Sequence, residues 1–91
     1  MNLEECRKEI DQIDTQLLQL YLRRMQTVIE VARYKKEHGL PVLHPKREQE
    51  IIDRQTAQSP EALRPYVREL YQTLMATSRA YQEQLLGEEA K

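Results

Sequence analysis

Apolar residues recur at helical spacing along the first third of this 91-residue chain. Leu3, Cys6, Ile10, Ile13, Leu17 and Leu20 alternate steps of three and four, with no Gly before Gly39 and no Pro before Pro41. A seam of this kind without a breaker predicts one long helix over about residues 3–37. At 1.5 Å per residue it spans roughly 50 Å. "HGLP" closes it, Gly39 suiting a left-handed cap and Pro41 barring continuation. A second helix is predicted over about residues 45–58. Pro45 suits its first position, Glu48 falls in its first turn, and Ile51 and Ile52 give it an apolar side. "SPEALRP" reads as a turn region with room for one helical turn. A third helix over about 65–86 carries the stripe Val67, Leu70, Leu74, Ser78, Tyr81 and Leu85, with Gly87 as its cap and "EEAK" as a polar tail. No stretch alternates like a strand, so the expectation is a single all-α domain over residues 1–91.

A helix of about 35 residues is too long for its own two shorter neighbours to cover. A second copy laid alongside covers the seam, so the expected assembly is an intertwined homodimer of three-helix protomers. Small chains bury only about 60% of their extended surface, and dimerisation relieves that shortage.

Composition narrows the function classes. Fourteen Lys and Arg stand against 15 Asp and Glu, a net charge of −1, with no Trp or Phe. That balance lacks the basic excess of a nucleic-acid footprint and the aromatic platform of a base stacker. The apolar runs are too short to span a membrane, and "MNLEECRKEI" lacks the apolar region of a signal peptide. A lone cysteine, Cys6, suits a reducing compartment, and the cytoplasm is expected.

Polar residues then appear where apolar ones belong. Past Leu20 the seam reaches Arg24, a permanent charge that is costly to bury unpaired. Val28, Val31 and Ala32 follow, then Lys35, which lies 11 residues on and within about 20° of the same face. Two cations about 16 Å apart across a low apolar floor suit one compact anion. The plainer reading pairs Arg24 with a carboxylate of the partner chain, or lets it snorkel. In the third helix Ser78 takes a stripe position and Gln82 follows one turn later, two uncharged donors on one face. A structural reading bonds them to backbone or water. In "LHPKREQE", Arg47 and Glu48 read either as a solvated first turn or as one wall of a site. His44 reads as a loop residue or a weak cap. His38 and His44 lack further ligands at metal spacing, so no metal is expected, and Cys6 reads as a packed thiol. Arg7 lies roughly 25 Å along the helix from Arg24 and reaches only a partner's site in an antiparallel dimer.

The set Arg7, Arg24, Lys35, Arg47, Glu48, Ser78 and Gln82 resembles the active-site residues of the all-helical chorismate mutases. "RKEIDQIDTQLLQLYLRRM" is similar to that family's opening helix, and "PVLHPKREQEII" to its second-helix junction. The resemblance covers about residues 3–86. It implies an intertwined dimer with two sites and the Claisen rearrangement of chorismate to prephenate, on the route to phenylalanine and tyrosine, without cofactor or metal. It further implies that Arg24 and the partner's Arg7 bind the two substrate carboxylates, with Ser78 assisting. Lys35 and Gln82 donate to the ether oxygen, Glu48 holds the ring hydroxyl, and Arg47 supports the adjoining wall. His44 departs from the Asp or Asn of better-known members and leaves a backbone N–H to serve the ring. Two rival readings remain: an isochorismate-pyruvate lyase of the same fold, whose pattern is apolar at the position of Glu48, and a non-catalytic helical dimerisation module.

Overall fold

A computed structural model describes residues 1–89 of the chain. Three α-helices make up the protomer: α1 over Leu3–Glu37, α2 over Pro45–Ala57 and α3 over Arg64–Glu89, with a single 3-10 turn at Glu61–Leu63 before α3. The described residues contain no strand. None of their helices is long and apolar enough to cross a membrane.

Local chemistry sets the helix ends. Asn2 caps α1, its Oδ1 accepting from the Glu5 amide at 2.8 Å, and Glu4 and Glu5 lie in the first turn, where the helix dipole favours acids. At the other end Gly39 takes φ +63°, the Gly39 amide donates to Lys36 O and the Leu40 amide to Lys35 O. This pair of bonds is a Schellman motif, and it needs the left-handed conformation that glycine adopts without a Cβ penalty. At α2, Pro45 opens the helix and His44 caps it, with Nδ1 accepting from the Arg47 amide at 3.1 Å. His44 is therefore a side-chain cap, more specific than a loop residue.

Cross-helix contacts fix the directions. Tyr21 Oη donates to Thr77 Oγ1 at 2.8 Å, and further along both helices Lys35 meets Gln82, so α1 and α3 run the same way. Glu48 pairs with Arg79 while Gln55, one helical stretch later, bonds Tyr71, so α2 runs against α3. The protomer is an up-down-up arrangement in which α3 packs against both other helices.

That central placement changes which α3 residues are buried. Of the expected stripe, Leu70 is 51% exposed, whereas Met75 and Gln82 are the most enclosed side chains of the helix at 4% each. A helix packed on two sides buries a wider face than one stripe of threes and fours. The expected stop at Gly87 also gives way. α3 continues to Glu89, and Gly87 does not adopt the positive φ of a cap. Glu88 and Glu89 of the expected tail are thus helical, and its Ala90 and Lys91 lie outside the described residues.

The core is thin: among the described residues Val28, Ala32, Ile52 and Met75 are the buried apolar ones, and no large side chain is fully enclosed. The α1 seam is bare. From Leu3 to Leu20 only Cys6 is even half-buried. The protomer measures 53 × 26 × 14 Å with a radius of gyration of 16.4 Å. A compact chain of this length has a radius near 12 Å, so α1 projects well beyond the other helices.

The two glycines give opposite expectations. Nothing lies within 4 Å of a Cβ built at either position. Gly39→Ala lowers stability by about 1–2 kcal/mol because its backbone stays left-handed. Gly87→Ala raises it by up to about 1 kcal/mol because the residue is helical. Urea denaturation at one fixed protein concentration measures both, and a loss at position 87 would show that α3 ends earlier.

Candidate active site

The second half of α1, the first turn of α2 and the middle of α3 enclose a cavity of about 280 Å³. α1 contributes Arg24, Val28, Val31 and Lys35 at helical spacing. Ala32, placed with these by its spacing, lies at the flank of that face and is buried toward Leu85 and Leu86. α2 contributes Arg47, Glu48 and Ile51, with His44 and Val42 entering from the preceding loop. α3 contributes Met75, Ser78, Arg79 and Gln82, which are i, i+3, i+4 and i+7 along one face.

Lys35 bonds to both the loop and α3. Its Nζ donates to Val42 O at 2.7 Å and to Gln82 Oε1 at 3.1 Å, which occupies two of its three protons. Burial pushes its pKa below the ordinary lysine value of 10.5, and the Glu48 carboxylate acts in the opposite direction. Gln82, nearly fully buried, donates from Nε2 to Ser78 Oγ at 3.3 Å. Lys35, Gln82 and Ser78 thus form one hydrogen-bonded row from the end of α1 along α3.

Arg24 behaves differently. Its Nη1 is buried and has no hydrogen-bond partner among the described residues. A buried guanidinium nitrogen without an acceptor carries its desolvation cost uncompensated. Burial of this nitrogen removes the snorkelling allowed by sequence, while the other reading, a carboxylate of the partner chain, lies beyond the protomer. Arg24 also borders a second, more apolar groove lined by Leu17, Tyr21, Leu70 and Leu74.

Seven of the eight residues singled out from sequence line the cavity: Arg24, Lys35, His44, Arg47, Glu48, Ser78 and Gln82. Arg7 does not. It sits on the bare projecting part of α1, roughly 25 Å along the axis from Arg24.

Arg79 is the charged residue that sequence reasoning passed over. Its Nη1 donates to Glu48 Oε1, joining α3 to α2 across the cavity wall. The Glu48 side chain is 18% exposed and that of Arg79 33%. The signal available in the sequence was the spacing from Met75 through Ser78 to Gln82, whose face includes position 79. With Arg79 the lining holds four permanent or near-permanent cations, Arg24, Lys35, Arg47 and Arg79, against one carboxylate, Glu48. Such a balance suits an anion of more than one charge, and Arg forks match carboxylates.

A profile of the chorismate mutase type II family matches residues 6–83, which include every residue of the candidate site. Among curated proteins the T-protein of Haemophilus influenzae is 33% identical over 79 residues, covering 76% of this chain and 21% of that protein. The chorismate mutase of Methanocaldococcus jannaschii is 42% identical over 52 residues, 57% of this chain and 52% of that enzyme. The 4-amino-4-deoxychorismate mutase of Streptomyces venezuelae is 38% identical over 52 residues, 57% of this chain and 50% of that enzyme. The matched part of the chain thus spans from a fifth to about half the length of these relatives. No solved structure gives a significant match. The family profile takes in nearly all of the three-helix protomer together with its cation-lined cavity, and the chain belongs to the chorismate mutase type II family.

Proposed function

We propose that the chain is a chorismate mutase that converts chorismate to prephenate by a pericyclic rearrangement, acting as a homodimer. One observation carries this reading. The unpartnered Arg24 nitrogen and the Lys35–Gln82 pair converge on a single cavity of small-molecule size.

The reaction breaks one carbon–oxygen bond and forms one carbon–carbon bond within a single molecule. It transfers no proton and no electron to the protein, so the residues have two tasks. The first is to hold a flexible dianion folded, with its reacting carbons in contact. Arg24 takes one carboxylate, which supplies the acceptor its buried nitrogen lacks. The partner's Arg7 takes the other, because the Arg7 of the same chain is too far along α1. Ser78 assists at a carboxylate. Glu48 accepts from the ring hydroxyl, Arg47 supports that wall, and the backbone of His44, held by its capping bond, adjoins it.

The second task is electrostatic. As the carbon–oxygen bond breaks, negative charge grows on the ether oxygen. The free proton of Lys35 meets that charge, and its other two protons fix where the ammonium points. Gln82 donates as well, by turning Nε2 from Ser78 to the ligand. Donors aimed at charge that develops only in the transition state raise kcat. A rate enhancement of about a millionfold corresponds to roughly 8 kcal/mol, within reach of two such donors and an enforced conformation.

The bare α1 seam and the groove beside Leu17, Leu70 and Leu74 support the second copy. The lone Cys6 suits a reducing compartment, and the enzyme is assigned to the cytoplasm on that ground. Glu48 supports the mutase over the isochorismate-pyruvate lyase, whose pattern is apolar there. Incubation with chorismate and, separately, isochorismate tests the assignment. Prephenate from chorismate upholds it, and pyruvate with salicylate from isochorismate alone overturns it.

Three outcomes follow for variants. Arg24→Met abolishes turnover but leaves the melting temperature unchanged or higher, since Nη1 has no protein partner to lose. Unfolding of that variant would indicate a structural role instead. Arg7→Ala and Arg24→Ala are each inactive alone, yet mixed in equal amounts after denaturation and refolding they recover about a quarter of native activity. Random assortment makes half of the dimers mixed, and each mixed dimer has one intact site. No recovery would exclude a site shared between chains. Lys35→Ala lowers kcat by about 10²–10³-fold. In the native enzyme kcat/KM falls at alkaline pH with a midpoint below the 10.5 of an ordinary lysine, because the lowered pKa discharges Lys35 early. The Lys35→Arg variant keeps its charge, so that limb disappears from its profile.

A further inference from the structure

Among the described residues Glu48 is the one carboxylate lining the cavity, and it is already paired, with Arg79 of α3. Neither residue is fully exposed, so the pair is screened less than a surface ion pair. The bond has two consequences. It holds the Glu48 carboxylate at one place on the α2 wall, aimed from a helix first turn. It also uses the negative charge of Glu48 to neutralise a neighbouring arginine. What remains at that wall is an oriented oxygen acceptor with little net charge, flanked by the further cation Arg47.

Two ligands respond differently to such a wall. A ring hydroxyl needs an oriented acceptor and no net charge. A ring ammonium needs an unpaired negative charge, and here it meets Arg79 and Arg47 as like charges. The distinction has chemical counterparts among the relatives, where one protein is named a chorismate mutase and another a 4-amino-4-deoxychorismate mutase.

The geometry points to Arg79 as a positioning residue that sets ring specificity. Through its ion pair with Glu48 it makes the cavity select a neutral hydroxyl-bearing ring over a cationic amine-bearing one. This inference rests on the reading that Glu48 holds the ring substituent. Arg79 acts through Glu48 and does not itself touch the reacting atoms.

The test uses two stable bicyclic diacids that mimic the folded substrate, one with a ring hydroxyl and one with a ring ammonium. Calorimetry gives the dissociation constant of each for the native dimer, Arg79→Met and Arg79→Lys. The native protein binds the hydroxyl form at least about tenfold more tightly, the scale on which adjacent charged groups couple. In Arg79→Met the two affinities move in opposite directions. The ammonium form gains because Glu48 is released to pair with it, and the hydroxyl form loses its fixed acceptor. The preference therefore falls by about tenfold or more. Arg79→Lys retains most of the native preference. Loss of both affinities by one common factor would reduce Arg79 to a structural support and overturn the inference, as would unchanged affinities. Failure of the native protein to bind either diacid, or to turn over chorismate, would instead remove the underlying functional reading.

Discussion

The protomer is organised around one ammonium group. Lys35 stands in the last turn of α1, where its backbone carbonyl receives the Leu40 amide and its Nζ reaches Val42 O and Gln82 Oε1. A cation drawn out of water needs such acceptors, and it finds them on the loop and on α3. The bonds fold the 38–44 loop back over the end of α1, and that fold delivers His44 to cap α2. The cap in turn orients the first turn, which carries Arg47 and Glu48 into the cavity. A chain of local bonds therefore connects the end of one helix to the chemical wall on another. Burial lowers the pKa of Lys35, and the Glu48 carboxylate opposes that shift.

The same arrangement explains why the core is thin. Positions that ordinary packing would fill with leucine hold Arg24, Lys35, Ser78 and Gln82, and the buried apolar set reduces to four residues. Hydrogen-bonded polar rows inside a small bundle are tolerable when every member is satisfied. Arg24 Nη1, in the same cavity but outside that row, has no partner among the described residues. Preorganised donors of this kind trade stability for the ability to meet charge without reorganisation. The proposed second copy would repay part of that loss by covering the seam from Leu3 to Leu20, and it would bring Arg7 to the site of its neighbour. Binding and assembly would then draw on the same surface of α1.

In the proposed reading, Arg79 tunes the site from just outside the reacting centre. Glu48 alone would be an anion on a cationic wall, open to any positive group. Paired with Arg79, it becomes an acceptor with a fixed direction. The change involves no altered backbone and no added residue in the chain's local pattern. It arises because two helices running in opposite directions bring positions 48 and 79 together.

Much of the architecture was readable in the sequence because helix formation is a local matter. The 3.6-residue repeat, the breaker-free run to residue 38, Gly39 and Pro45 determined that α1 and α2 exist and where each begins or ends. The anomaly of Arg24 and Lys35 on an apolar face marked α1 as a site-bearing helix, and Ser78 with Gln82 marked α3. Tertiary structure alone decided the rest. That Met75 is core and Leu70 is not depends on α3 packing against two helices at once. That α3 runs through Gly87 depends on the backbone there remaining helical, which a glycine permits as readily as a cap. The Lys35–Val42 bond depends on how the loop after α1 folds back, and the Glu48–Arg79 bond on the direction, rotation and spacing of two helices whose residues stand 31 apart in sequence. Local periodicity carries the face of a helix, but not the partner that the face will meet.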